Sequence, residues 1–419
     1  MRIATITYSL CLNVISFHGV EAAHRLPDTC PSAVRISELV CSAGNHGNVA
    51  KSENQQLWEA ADNEGPVQLS WLDTGLCARD YCLFVNQKFN QGRGMSAITT
   101  LENIHKVKSI VDEVQSQDQA RRRPGPAQFY VAEVPGKGLG LIANMSQHRG
   151  TIIMQKTPAL VVHRKFLEQV PPHEQQPLLD EAVKLLPATT RSLFLSQMGH
   201  FGGHKITDIL ATNSFQTDLG GEDGHHYSNY PEVSRFNHDC RPNVAFYISE
   251  QLIHTSTAVK VVEPGEELTI TYLDSFEPRA ARQLRALHAW GFECTCSQCS
   301  LPDKLAAKSD RRLEEIVRLQ AQLEDFQGLG VTPALIRRFI KLYKDDNLDF
   351  TIAGAYTLAA LNYNMLGDEK MAVKYARLAL EAGAIEYGPS SSDVREMQAL
   401  LRDPRGHFSW RKRLPITDG

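Results

Sequence analysis

Arg235-Phe236-Asn237-His238-Asp239-Cys240-Arg241-Pro242-Asn243 gathers an amide, an imidazole, a carboxylate and a thiol into one short run. The thiol has counterparts downstream, in Trp290-Gly291-Phe292-Glu293-Cys294-Thr295-Cys296-Ser297-Gln298-Cys299. Cys294, Cys296 and Cys299 form a C-x-C-x2-C cluster, and three thiolates on one short loop can hold three corners of a zinc tetrahedron at ~2.3 Å each. The fourth corner must come from elsewhere. The other five cysteines (Cys11, Cys30, Cys41, Cys77 and Cys82) lie in the first fifth of the chain, which leaves Cys240 and gives a closed four-thiolate structural site. The alternative is free or disulfide-bonded cysteines, but bridges across a C-x-C step are strained.

Two further segments flank this one. Gly265-Glu266-Glu267-Leu268-Thr269-Ile270-Thr271-Tyr272 reads as a turn followed by a strand that ends on a tyrosine. Upstream, Gly138-Leu139-Gly140 lies in the turn between two short strands, Phe129–Val134 and Leu139–Ala143. It is not the dinucleotide fingerprint, because no strand–G-x-G-x-x-G–helix follows. Its glycines would let a ligand approach the backbone.

These four segments, in this order, resemble a SET-domain protein methyltransferase. The resemblance covers residues 128–300 well and 301–419 loosely. It is nearest to the SET-and-MYND subgroup, without that subgroup's MYND finger, since residues 143–205 contain no cysteine. Residues 24–125 resemble only a region found in fungal SET proteins. The implied fold is α+β: short β-sheets with a helical insert and a threaded crossing, a zinc-bound loop after the SET domain, and a C-terminal α-helical lobe. The implied activity is transfer of a methyl group from S-adenosylmethionine to a lysine amine on a protein or peptide. Tyr272 matches the active-site tyrosine. Gly138, Leu139, Gly140, Asn237 and His238 match cofactor-binding positions, and Phe292 would stack near the adenine. Pro242 and Asn243 belong to the crossing and take structural roles. Cys240, Cys294, Cys296 and Cys299 would hold a structural Zn2+. Two readings compete with this one: a SET-derived scaffold without turnover, and methylation of a small molecule or peptide in a biosynthetic pathway.

The expected organisation is a signal peptide over 1–22, a cysteine-containing region over 23–125, the SET domain over 126–275 with a helical insert at about 165–230, a zinc loop over 276–300 and the helical lobe over 301–419. Within the first region, 81–85 and 95–99 read as strands and 101–118 as an amphipathic helix. Arg121-Arg122-Arg123-Pro124-Gly125-Pro126 has linker composition. Residues 173–213 carry helical spacing, whereas 218–230, with Gly220-Gly221 and His225-His226, reads as a solvated polar loop. Strands are expected again at 244–248, 255–262 and 267–272. In the lobe, 351–366 and 369–384 are expected to form an αα-hairpin around Gly367-Asp368, with small-and-aromatic packing like one tetratricopeptide unit.

The whole chain has 419 residues, 42% of them hydrophobic and 22% charged, which excludes a wholly disordered or multi-span membrane protein. A formal charge of −4 argues against a globally basic nucleic-acid binder. No apolar run is long enough to span a bilayer. Met1-Arg2, the moderately apolar Ile3 to Val20 and Val20-Glu21-Ala22 resemble a secretory signal, the alternative being a first strand of a cytoplasmic or nuclear protein. With Cys11 removed, Cys30, Cys41, Cys77 and Cys82 would make two disulfides in an oxidising compartment.

Overall fold

The computed structural model describes residues 71–118, 128–328 and 330–414. The expected signal peptide, the 121–126 linker and the upstream partners Cys30 and Cys41 lie outside them. Cys77 and Cys82 are joined to each other by a disulfide across paired strands. No helix among the described residues is long and apolar enough to cross a membrane.

The described chain forms two compact units, one of residues 71–118 and 157–231 and one of residues 128–156 and 232–414. The first is built on a six-stranded sheet. Its strands run, in spatial order, Leu72–Ala78, Tyr81–Asn86, Met95–Thr99, Leu160–His163, His225–Asn229 and Ser214–Asp218. All neighbours are antiparallel except Met95–Thr99 and Leu160–His163, which pair in parallel with Ala97 opposite Val161. Leu83, Val85, Ile98, Leu160 and Val162 are buried, and helices at Pro172–Lys184 and Lys205–Asn213 add Leu179 and Ile209 to the same core. The stretch expected to be a helical insert therefore contains helices and two strands. One of these strands overturns the solvated loop. Ser214–Asp218 and His225–Asn229 form a hairpin, with Asp218 opposite His225. The reason is local. The Gly220 N–H donates to the Asp218 carboxylate, and Gly220 and Gly221 take the left-handed backbone that the turn requires. The strand's polar side chains are satisfied inside the sheet: Thr217 meets Ser228 at 2.8 Å and His226 meets Thr99 at 2.8 Å.

The second unit holds two small sheets and six helices. One sheet runs Asn237–His238, Glu267–Ile270, Gly138–Ala143, Phe129–Val134, the first pair parallel and the others antiparallel. The other runs Val244–Ile248, His254–Ala258, Ile152–Lys156. Arg279–Trp290 ends at Gly291, whose φ of 72° makes the left-handed cap that releases the chain into the cysteine loop. The helices Asp303–Glu324, Pro333–Asp345, Ala353–Met365, Glu369–Glu386 and Ser392–Arg402 build the C-terminal lobe. Ala353–Met365 is its centre and is buried on nearly every side, as expected of a helix enclosed by neighbours, with its polar Asn362 and Asn364 hydrogen-bonded inside the lobe. The αα-hairpin turns on Gly367, and the Asp368 side chain caps the second helix. Ala245 and Val259 from the strand region share this core with Phe339 and Leu342.

Candidate active site and metal centre

Cys240, Cys294, Cys296 and Cys299 are all buried, and their sulfur atoms lie within 4.8 Å of one another. The Cys240 and Cys299 sulfurs are 3.6 Å apart. Four sulfurs each ~2.3 Å from one ion would be separated by distances of this order, so the donor set fits a tetrahedral zinc. Bound there, zinc would supply a rigid cross-link and no open coordination position. Hydrogen bonding among the thiols, that with Cys240 foremost, holds Cys296 and Cys299 below the ordinary cysteine range. The Cys299 N–H also points at the Cys296 sulfur, at 3.4 Å.

The segment that carries Cys240 continues directly into the remaining site. Asn237 and His238 lie in parallel register with Thr269 and Ile270, so the strand that leads to Tyr272 runs alongside them. His238 Nδ1 accepts the Tyr272 N–H at 3.0 Å. The ring's proton therefore sits on Nε2, which faces the Cys240 sulfur at 3.3 Å. Burial pushes the imidazole down to about 3, and it stays neutral. Both ring nitrogens are thus used within the protein, and His238 joins the cysteine cluster to the tyrosine strand. Any contact it makes to a ligand falls to its backbone.

Tyr272 is half-buried and donates its hydroxyl to the Phe236 carbonyl at 2.5 Å. Burial raises its phenol well above the usual range, so it remains protonated. Three rings surround it: His238 at 5.4 Å, Trp290 at 5.5 Å and Phe292 at 6.3 Å between centroids. Asn243 braces the strand beneath, accepting the Thr269 N–H at 2.9 Å and donating to the Glu267 carbonyl at 2.8 Å.

Gly138 begins the strand at φ 75°, and Leu139 is exposed beside it. Gly140 has no room for a side chain. An added Cβ would lie 2.7 Å from Val134 Cγ2, 2.8 Å from Asn237 Nδ2 and 3.0 Å from Glu267 Oε1. Asn237 donates to that Glu267 oxygen at 2.8 Å, and Lys137 pairs with the other at 2.6 Å. The glycine turn, the strand to Tyr272 and the segment 237–240 are therefore fastened by one short polar chain.

All the sequence-derived site residues fall in the second unit. The motifs themselves do not reveal the roles of Trp290, Glu267 and Lys137 or the bracing by Asn243, because each depends on neighbours distant in sequence. A lysine in the glycine turn, opposite a conspicuous acidic pair, was the one available signal for the ion pair.

Residues 138–273 match the family model described as "SET domain". The chain is 26% identical over 293 residues to the "Histone-lysine N-methyltransferase set5" of Schizosaccharomyces pombe, covering 67% of this chain and 85% of that protein. It is 29% identical over 182 residues to the "Histone-lysine N-methyltransferase SMYD3" of Mus musculus, covering 41% of each. Among solved structures, "the SET domain of LSMT bound to Lysine and AdoHcy" is similar at 13% identity over 74% of this chain and 89% of that one, with a TM-score of 0.27. The joined glycine turn, Asn-His segment and tyrosine strand coincide with the matched residues, and residues 138–273 of this chain are a SET domain.

Proposed function

We propose that this protein is an S-adenosylmethionine-dependent protein-lysine N-methyltransferase with Tyr272 as its catalytic residue. The observation that carries this reading is the junction at His238. One imidazole ties the cysteine cluster to the backbone of Tyr272, and the adjoining Asn237 ties the same segment to the glycine turn. The three parts that a SET methyltransferase needs are thus held by direct bonds. The names of the relatives from fission yeast and mouse support the same substrate class.

When bound, S-adenosylmethionine would supply a methyl group already activated on a sulfonium. The backbone around Gly138, Leu139 and Gly140 and the segment Asn237–His238 would hold its amino-acid end, and Phe292 would face its adenine. Because Tyr272 keeps its proton, it is unsuited to be a base. Its hydroxyl orients the acceptor amine, and the surrounding Trp290 and Phe292 rings exclude water, which favours the uncharged lysine over the ammonium. The catalytic power asked of the protein is alignment of two reactants, which suffices when the leaving group is already good. The cysteine cluster with zinc would fix the loop that carries Phe292.

Tyr272→Phe tests this. It removes one hydroxyl and keeps the ring, so folding and cofactor affinity should change little. Transfer of labelled methyl from S-adenosylmethionine to histones or a lysine peptide library should fall tenfold or more, a loss of at least ~1.4 kcal/mol in the transition state. Equal transfer by wild type and variant would remove Tyr272 from catalysis. A wild type that neither binds the cofactor nor labels any acceptor would establish the scaffold reading instead.

A further inference from the structure

Asp346 follows the helix Pro333–Asp345 in the C-terminal lobe, more than a hundred residues from Cys240, yet its side chain is wholly buried. A carboxylate removed from water must be paired, and this one has three partners. Arg312 donates from Nε to Oδ1 at 2.9 Å, with its Nη2 as a second donor to the same oxygen. Ser309 Oγ donates to Oδ1 at 2.8 Å. Arg241 Nη2 donates to Oδ2, and Arg241 Nε donates to the Asp346 main-chain carbonyl at 2.7 Å. Two guanidinium groups around one carboxylate leave a net positive charge, more than the pairing of Asp346 itself requires.

Two of those partners lead to the cysteines. Arg241 is the residue after Cys240, and its Nη1 donates back to the Cys240 carbonyl at 2.6 Å. Ser309 accepts Gln298 Nε2 at 2.6 Å, and Gln298, itself buried, is the residue before Cys299. The two chain segments that carry the four thiols thus converge on a single carboxylate of the helical lobe. Four thiolates with one divalent cation retain net negative charge, and the guanidinium that faces these sulfurs is that of Arg282, which hydrogen-bonds Cys240 and Cys299.

We propose that Asp346 is a positioning residue for the metal centre, fixing the Cys240 segment through Arg241 and the Cys294–Cys299 loop through Ser309 and Gln298. The inference rests on the metal-binding reading of the four cysteines and extends it to the lobe. It assigns the C-terminal helices a part in assembling the site rather than in bulk stability alone. Groups that orient metal ligands from behind typically contribute 10–100-fold in metal affinity.

The test uses the full chain loaded with zinc and measures metal release to the chromogenic chelator 4-(2-pyridylazo)resorcinol. Asp346→Asn keeps the shape and removes the charge. Gln298→Ala removes only the second arm and remains informative if Asp346→Asn does not fold. Arg413→Met is the control. Arg413 donates to Asn362 at 2.9 Å and to the carbonyls of Asp325 and Gly328, so it stabilises the same lobe without a bond to either cysteine segment. Asp346→Asn should speed release about tenfold or more, and Gln298→Ala should speed it by less. Arg413→Met should lower the melting temperature and leave release at the wild-type rate. Wild-type release rates in both Asp346→Asn and Gln298→Ala overturn the inference, as does equal acceleration by Arg413→Met. A wild type that holds no zinc overturns the metal centre itself, and this inference with it.

Discussion

Gly140 shows how much a single hydrogen atom decides here. Alanine would put a methyl carbon inside contact distance of Val134, Asn237 and Glu267 together, and two of those atoms belong to a hydrogen-bonded pair that cannot yield without breaking. Gly140→Ala should cost about 1–3 kcal/mol of stability. It should also weaken S-adenosylmethionine binding, measured by calorimetry. Gly136→Ala, with open space around its Cβ and only a positive φ to strain it, should cost stability and leave that affinity unchanged. Glycine is common in turns between strands, so Gly138-Leu139-Gly140 was legible only in company with the Arg235–Asn243 and Gly265–Tyr272 segments. The reason for Gly140 was not, since Asn237 and Glu267 approach it only in the fold. The four cysteines were legible through spacing and elimination. His238 was legible as a member of its motif, but its side-chain role was hidden: which ring nitrogen meets which partner depends on a strand pairing that spacing does not reveal.

At the scale of elements, the strands beside the site followed their alternation, and the helices of the lobe followed their apolar spacing. The hairpin Ser214–Asp218/His225–Asn229 did not, because its strand His225–Asn229 is buried on both faces and the side chains it buries include the polar His226, Ser228 and Asn229. That choice gives the first unit a pH dependence. Burial, the largest influence, pushes His226 down to about 4, against an ordinary value of 6.5. Protonation therefore favours the unfolded chain. The stabilisation is complete above pH 6.5 and is lost as the pH falls through 4, on the order of 3 kcal/mol in all. Thermal melting between pH 7.5 and 4.5 should show the transition of this unit falling in wild type, and His226→Gln should flatten that fall. Equal slopes in the two proteins would show that His226 does not control it.

Across the whole molecule, the two units are interleaved in sequence. The chain builds part of one sheet before residue 118, leaves for the strands at 129–156, returns at 157–231 to complete the first unit, and leaves again for the helical lobe. Fold class was legible because the decisive motifs sit close together in the second unit. The partnership of the upstream strands with the insert was not, because a parallel pairing between Met95–Thr99 and Leu160–His163 spans some sixty residues and leaves no local mark. Non-local pairings of this kind are slow to form, since the intervening chain must be ordered before any contact is gained.

That parallel pairing limits how the protein can be dissected. Leu160, Val161 and Val162 are wholly buried between two neighbouring strands. A fragment that begins at residue 126 keeps every sequence motif of the methyltransferase yet strips one neighbour from this strand. It exposes an apolar edge with unpaired backbone groups, the template for self-association. Such a fragment should elute as aggregate in size-exclusion chromatography with light scattering, while a chain that begins at residue 71 should not. Any rearrangement of this gene that carried off the recognisable motifs without the upstream strands would therefore yield an insoluble product, which couples the inheritance of the two regions.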